Sequence, residues 1–238
     1  MSDPRIALVT GGNRGLGHAT VEALAEAGFG VALTARDKAK AEAAAKDIAS
    51  GSRLVEGYAL DISNTQSVRD GVRAIFERHG RIDVLVNNAG IYPEREHRTT
   101  GLAADPDMVL ATLDTNAVGP YRVTQAVLPI MREQGYGRII NVSSQMARLA
   151  SMGVGSPGYR ISKTAMNALT VLTAAEIGGA TDICVNSVDP GWVRTDMGGP
   201  SADRDISAGI DTVVWLARDE AQGAPTGKFF RDRTETDW

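Results

Sequence analysis

A tyrosine and a lysine four residues apart are the side chains of this sequence best suited to moving a proton. Tyr159 and Lys163 fall inside a predicted helix, so they project from the same face. A free tyrosine titrates at about pH 10. An ammonium ~4 Å away would contribute about 4 kcal/mol at an effective dielectric constant of about 20, or roughly three pKa units. Tyr159 could therefore act as a general acid or base near neutral pH, although an isolated pair of this kind is more often a solvated helix contact.

Two serines follow directly after a predicted strand, a position at which a side chain can contact a bound ligand. A hydroxyl there, in Ser143 or Ser144, can hold a carbonyl oxygen and stabilise the negative charge that develops on it. Neighbouring residues of a strand point to opposite sides, so only one of the two can serve. Both could also be ordinary strand-end hydroxyls.

A glycine-rich turn could hold a phosphate. The aliphatic run 5–10 predicts a buried strand, Gly11, Gly15 and Gly17 come next, and a helical pattern follows. A strand, a glycine turn and a helix in this order form a pyrophosphate site, because the helix N-terminus offers free N–H groups and a partial positive charge. The spacing G-x-x-x-G-x-G departs from the common G-x-G-x-x-G pattern. Taken alone, the turn is weak evidence, since a tight connection between strand and helix can look the same.

The elements that position these residues follow from an alternation of strand and helix patterns. This alternation predicts an α/β fold in one domain, residues 1–238, with a Rossmann-type, doubly wound parallel sheet of about seven strands and helices on both faces. Ligands bind such sheets at the carboxyl ends of the strands. The later predicted strands are 30–35, 53–60, 82–86, 138–142, 182–188 and 228–230, and predicted helices cover 38–49, 64–78, 107–133 and 157–177.

Composition limits the classes of function. The 238 residues carry a formal net charge of −4, with 43% hydrophobic and 23% charged residues. No basic block offsets the acidic balance, which disfavours nucleic acid as a partner. Apolar stretches are strand-sized, so no membrane span is expected. The first predicted strand begins almost at the N-terminus and leaves no room for a signal peptide, so a cytoplasmic location is expected. The single cysteine, Cys184, is expected to be a core residue, and no metal site is expected.

In combination, these motifs resemble the short-chain dehydrogenase/reductase family over essentially the whole chain. The turn 10–17, the segment 87–90 (Asn-Asn-Ala-Gly) and the Tyr159–Lys163 pair look like its nucleotide-binding turn, its signature after the fourth strand and its active-site pair. Segment 190–195 is similar to the one that closes over the nicotinamide, with Thr195 at the carboxamide. The resemblance implies that the cofactor is held by Gly11, Asn13, Arg14, Gly15, Leu16, Gly17, Arg36, Asp61, Ile62, Asn88, Ala89, Gly90, Tyr159, Lys163, Pro190, Gly191, Val193 and Thr195.

The resemblance also implies a catalytic set of Asn116, Ser144, Tyr159 and Lys163. The family takes its serine from the last position of a segment like 137–144, which selects Ser144. Asn116 is a poor helix former, and Pro120 has no N–H for the carbonyl of residue 116, so we expect a kink that frees this carbonyl for a water. The family's mechanism uses such a water to link Asn116 to Lys163 and to solvent. A kink that merely relieves packing is the alternative.

Two arginines favour NADPH/NADP+ over NADH as the cofactor. NAD-dependent members of the family usually carry an acidic residue at the end of the second strand, where this chain has Ala35 followed by Arg36. Arg14 lies inside the glycine turn, and two guanidinium groups so placed could grip a 2′-phosphate. Asp61 and Ile62 fit the family's adenine contact, although Asp61 could equally cap the helix that follows.

The resemblance is closest to the carbonyl reductase branch. It implies NADPH-dependent reduction of an aldehyde, ketone or quinone to an alcohol, with Tyr159 as the general acid. Tyr92, Met146, Trp192 and Met197 are expected to line an apolar substrate pocket, unless they are only hydrophobic anchors. The alternatives are alcohol oxidation with NADP+ and a non-catalytic NADP(H)-binding sensor or scaffold, which the complete catalytic set disfavours. The long insertion of some monomeric members is missing, and the family's commoner habit implies a homodimer or homotetramer.

Overall fold

A computed structural model describes residues 4–49, 54–95, 103–179 and 181–238. In these ranges, eight strands form one sheet in the order β3-β2-β1-β4-β5-β6-β7-β8, parallel except for β8, which is antiparallel to β7. The strands are β1 (Ile6–Val9), β2 (Gly30–Ala35), β3 (Val55–Ala59), β4 (Val84–Asn87), β5 (Tyr136–Val142), β6 (Asp182–Val188), β7 (Lys228–Arg231) and β8 (Thr234–Thr236). The helices are α1 (Gly15–Glu26), α2 (Lys38–Ile48), α3 (Thr65–His79), α4 (Pro106–Leu113), α5 (Gly119–Gln134), α6 (Pro157–Ile177) and α7 (Ile206–Ala217).

Helices cover both faces of the sheet, as the alternating pattern predicted. On β1, Ala7 and Val9 enter the face that α1, α2 and α7 cover, whereas Leu8 enters the face that α3, α5 and α6 cover. Burial of one such aliphatic side chain stabilises the fold by about 1.5–3 kcal/mol. The predicted fold class is confirmed. Within the described ranges, no helix combines the length and the apolar character needed to cross a membrane.

Some elements differ from the sequence prediction. Helix α7 and strand β8 were not predicted, although Val213 and Leu216 of α7 are buried at the spacing of an amphipathic helix. Strand β3 begins at Val55, and Arg53, where it was predicted to start, lies outside the described residues. Cys184 is buried in β6, as expected of a core residue.

The predicted long helix 107–133 is interrupted at Asn116. A π-helical turn, Asp114–Val118, separates α4 from α5, and the N–H of Gly119 donates to the carbonyl of Asp114. Pro120 follows in the first turn of α5, where its missing N–H is tolerated. The expected irregularity is confirmed and takes the form of a π turn, a feature frequent at functional sites. The water at the carbonyl of Asn116 stays a prediction.

Candidate active site

The glycine turn lies at the carboxyl end of β1 and is tied to the end of β4. The Asn88 side-chain amide donates to the carbonyl oxygens of Thr10 and Gly11 at 2.9 and 3.2 Å. Gly11 and Gly15 have φ of +64° and +55°, the region that favours glycine. A Cβ on Gly17 would lie 2.2 Å from the oxygen of Gly11. The turn is therefore a close-packed backbone surface at a helix N-terminus, which is what a pyrophosphate requires.

Other segments predicted to bind the cofactor converge on this turn. Thr195, from the segment after β6, lies 3.7 Å from the position of a Cβ on Gly15. A Cβ on Gly90 would lie 3.1 Å from Asn116 Oδ1 and 3.7 Å from Lys163 Nζ. The structure thus brings together the glycine turn, the segment after β4 and helix α6, which carries Tyr159 and Lys163, although they are far apart in the sequence.

Several predicted cofactor residues fill supporting positions. Leu16 and Val193 pack their side chains against Gly209 of α7. Gly191 has a φ of +74°, and its N–H donates to the Asp189 carboxylate at 2.9 Å. Two further predicted residues flank these: Asn13 is half-buried in the turn, and Pro190 is buried after β6.

The two arginines predicted to select the cofactor both lie at the surface. Arg36 directly follows β2 and is exposed, and Arg14 is the residue that precedes α1. Arg14 Nη1 lies 3.7 Å from a carboxylate oxygen of Asp196, and both side chains are mostly exposed. An exposed pair of this kind contributes little, so Arg14 is available to an anionic ligand.

The geometry of the residues after β3 decides only the alternative in which Asp61 caps α3, and their contact with the adenine stays a prediction. Asp61 does not cap α3, because the Asn64 side chain accepts the N–H of Ser67 at 2.9 Å in that position. Instead, Asp61 Oδ1 accepts the N–H and the hydroxyl of Ser63 at 3.0 and 2.7 Å. The side chain of Ile62 is buried in the core between the sheet and α3.

Ser144 lies beside Tyr159, and Ser143 does not. The Ser144 hydroxyl lies close enough to the Tyr159 phenol to lower the pKa of that phenol, and it accepts the N–H of Met146 at 3.1 Å. Ser143 is buried, and its hydroxyl points towards the carbonyl of Lys163 at 3.5 Å. Strand alternation therefore separates the two serines as predicted, and Ser144 is the one that lies at the site.

Lys163 is buried beneath the tyrosine. Its Nζ donates to the carbonyl of Val142 at 2.7 Å and lies 5.8 Å from the centre of the Tyr159 ring. Burial lowers the pKa of Lys163 to about 8, because the charged ammonium loses its hydration.

The direction expected for the pKa of Tyr159 was wrong for the chain by itself. Burial raises the pKa of the phenol, and the hydrogen bond from Ser144 lowers it by less. The sequence argument placed an ammonium next to the phenol, but the Lys163 ammonium is directed at the carbonyl of Val142. Loss of hydration therefore outweighs charge attraction at Tyr159.

Asn116 holds the backbone after β4 with its side chain. Its Oδ1 accepts the N–H of Ile91 at 2.8 Å, and its Nδ2 donates to the carbonyl of Ile91 at 2.8 Å and to Ser162 Oγ at 3.1 Å. The side-chain amide thus joins the π turn to α6 and to the segment after β4. A catalytic role for Asn116 would fall to its backbone carbonyl.

The four residues predicted to line the substrate pocket lie on three segments. The Tyr92 ring stacks on the Tyr159 ring, with centroids 4.3 Å apart, and Met146 follows Ser144. Trp192 and Met197 are 50% and 39% exposed on the segment after β6, which agrees with a surface that a substrate could cover.

Sequence analysis missed Glu94. This residue is completely buried, and its two carboxylate oxygens accept the N–H groups of Gly158 and Tyr159 at 2.7 and 2.8 Å. Sixty-four residues separate Glu94 from Gly158. The only local signal is weak: α6 begins at Ser-Pro-Gly, with no carboxylate or amide side chain of its own to cap it.

Comparisons with known proteins agree with this geometry. The family model for short chain dehydrogenase matches residues 5–205. Carbonyl reductase (NADPH) 1 of Oryctolagus cuniculus is 33% identical over 284 residues, which covers 100% of this chain and 99% of the relative. Short-chain reductase protein NovJ of Streptomyces niveus is 38% identical over 214 residues, 90% of this chain and 78% of the relative. The structure of carbonyl reductase Sniffer of D. melanogaster superposes with a TM-score of 0.86 at 28% identity, covering 99% of this chain and 100% of that one.

Proposed function

The chain belongs to the short-chain dehydrogenase family, and from this premise we propose that it is an NADPH-dependent reductase of an aldehyde, ketone or quinone. The observation that carries the proposal is the placement of Ser144 and the buried Lys163 beside Tyr159, at the edge of the sheet that holds the glycine turn. The names of the relatives favour reduction over oxidation.

The residues present fit a dinucleotide. A Cβ on Gly17 would lie 2.2 Å from the carbonyl oxygen of Gly11, and Gly15, at the N-terminus of α1, lies next to Thr195. Asn88 and Ala89 lie against Gly11 of the glycine turn. When bound, the reduced nicotinamide would supply the hydride that the carbonyl carbon accepts.

The side chains of the site would supply the proton and the charge stabilisation. Ser144 would hold the carbonyl oxygen of the substrate, and Tyr159 would donate its phenolic proton to that oxygen as negative charge develops. Lys163 would stabilise the phenolate that remains, since its Nζ lies 5.8 Å from the centre of the Tyr159 ring. The carbonyl of Asn116 would hold the water through which the proton is replaced.

The first experiment is a panel of aldehydes, quinones and aryl ketones assayed with NADPH and separately with NADH. We expect loss of the reduced-cofactor absorbance with NADPH and a ranking of substrates that favours apolar carbonyl compounds. Binding of NADPH without turnover in either direction would support the sensor function instead. Turnover only with alcohols and NADP+ would reverse the direction of the proposal.

The cofactor preference rests on Arg14 and Arg36. We expect the double variant Arg14→Ser/Arg36→Ser to raise KM for NADPH at least tenfold, since each substitution removes a guanidinium group that would bind the 2′-phosphate. KM for NADH should stay unchanged, because NADH lacks that phosphate. An equal effect on both cofactors would refute the role of the arginines.

We also propose that the protein forms a homodimer or homotetramer and that it is located in the cytoplasm. Support for self-association comes from large apolar side chains exposed on neighbouring helices, a feature typical of interaction surfaces. They are Leu110 on α4, Tyr121 on α5 and Ile161, Val171 and Leu172 on α6.

A further inference from the structure

The first turn of the catalytic helix has no cap of its own. Ser156, the residue before α6, has a left-handed φ of 51°, and its side chain accepts no N–H from the helix. The Ser156 hydroxyl is instead paired with the Tyr92 phenol at 2.7 Å. The N–H groups at the start of a helix must still find acceptors, particularly where the turn is buried.

A distant carboxylate supplies these acceptors. Glu94 binds the N–H groups of Gly158 and Tyr159 with one oxygen each. Pro157, at the first helical position, has no N–H to offer. Glu94 thus closes the turn that carries Tyr159 and does so through the backbone nitrogen of Tyr159 itself.

The carboxylate is unusual among the buried charges. In the described part of the chain, the buried charged side chains are Asp83, Glu94, Arg138, Lys163 and Asp189. Asp83, Arg138 and Asp189 each form an ion pair. Among the residues that the structure describes, Glu94 has as partners only the two backbone N–H groups and the positive end of the α6 dipole. An anion buried in this way is costly, and a short serine or aspartate cap at the surface would stabilise the helix without that cost.

Because Glu94 lies on the segment after β4, it links that segment to Tyr159, which a cap within α6 would not do. Tyr92, two residues earlier, stacks on the ring of Tyr159 at 4.3 Å. The segment that follows β4 therefore holds Tyr159 at two points, its ring and its backbone nitrogen. The same segment is fixed at Ile91 by Asn116. We propose that Glu94 is a positioning residue, which fixes the first turn of α6 so that the Tyr159 hydroxyl stays aligned with Ser144.

This inference rests on the proposed function, and the test separates the two. Glu94→Gln keeps the side-chain volume but turns an NH2 group towards one of the two N–H donors. Glu94→Asp keeps the charge and shortens the reach. The matched control is Asp37→Asn, since Asp37 also accepts two backbone N–H groups, but at the start of α2. The readouts are kcat and KM at saturating NADPH, the NADPH dissociation constant, and amide hydrogen exchange of residues 157–163.

We expect Glu94→Gln to lower kcat about 10- to 100-fold, the size of loss that a small misplacement of a reacting group produces. The NADPH dissociation constant should stay within about twofold, exchange at Gly158 and Tyr159 should accelerate, and Glu94→Asp should recover part of kcat. Asp37→Asn should leave kcat unchanged. A kcat of Glu94→Gln within twofold of the wild type would overturn the proposal. If the wild-type enzyme turns over no substrate, the proposed function fails, and unchanged exchange in Glu94→Gln would then overturn the inference by itself.

Discussion

Replacement of Gly17 by alanine should weaken NADPH binding while the fold remains. The added Cβ would lie 2.2 Å from the carbonyl oxygen of Gly11 and 2.4 Å from Asn88 Nδ2, whereas heavy atoms in contact are normally about 3.5 Å apart. Neither neighbour can retreat alone, because the Asn88 amide is bonded to the carbonyls of Thr10 and Gly11. The glycine turn must therefore open to admit the methyl group.

The magnitude follows from two opposed effects. Overpacking of a tight site costs about 1–3 kcal/mol, and if this appears in binding, the NADPH dissociation constant rises about 5- to 150-fold. In an unobstructed helix, the same change from glycine to alanine would stabilise by up to about 1 kcal/mol. The two effects differ in sign, so the measurement discriminates between a crowded Gly17 and a merely helical one.

The assay is a fluorescence titration with NADPH, combined with thermal unfolding in its absence. The control is Gly179→Ala, because a Cβ on Gly179 would meet no heavy atom within 4 Å. We expect the control to bind NADPH like the wild type. An unchanged dissociation constant for Gly17→Ala would refute the claim that this close approach builds the cofactor site.

Three further predictions address the tyrosine, the lysine and the exposed helix face. Tyr159→Phe should lower kcat about 10²- to 10⁴-fold while NADPH still binds. Steady-state kinetics measure the first effect and a titration with NADPH the second, and undiminished turnover would exclude Tyr159 as the general acid. The pKa of Lys163 is lowered from 10.5 to about 8 in the folded protein, so the unfolded chain binds more protons between these values. The free energy of unfolding of the wild type, measured in urea, should therefore rise with pH across this window relative to that of Lys163→Met. A difference between the two proteins that does not change with pH would contradict burial of the ammonium. Leu172→Glu, at a half-exposed position on α6, should reduce the molar mass in light scattering, whereas Val154→Glu, in a loop where Val154 is 95% exposed, should not.

Elements with strong local signals were predictable from the sequence alone. The structure places α6 at Pro157–Ile177 and β6 at Asp182–Val188, both as predicted. Pro157 marks the start of the helix, and the Asp-Pro-Gly segment at 189–191 ends the strand, so local chemistry set these limits. Local alternation predicted that only one of Ser143 and Ser144 serves the site, and the resemblance to the family selected Ser144.

The features that sequence reasoning missed depend on contacts between distant segments. Glu94 looks like an ordinary surface glutamate until the fold brings it to the start of α6. The sequence left open whether Asp61 caps α3, and only the side-chain geometry shows that Asn64 caps this helix. The direction of the Lys163 ammonium likewise depends on the carbonyl of Val142, which belongs to β5.

The error about the pKa of Tyr159 shows what the site still needs in order to react. Burial raises the pKa of the phenol and lowers that of Lys163 to about 8, because it penalises the charged form of each group. The low dielectric constant that penalises these charges also strengthens any new charge interaction among them. A positive charge placed beside the phenol would therefore lower its pKa far more than it would in water. Such a site keeps the proton on Tyr159 until a positive charge develops beside the phenol. Tyr159 can then donate this proton to the substrate oxygen at the stage of the reaction when negative charge appears on that oxygen.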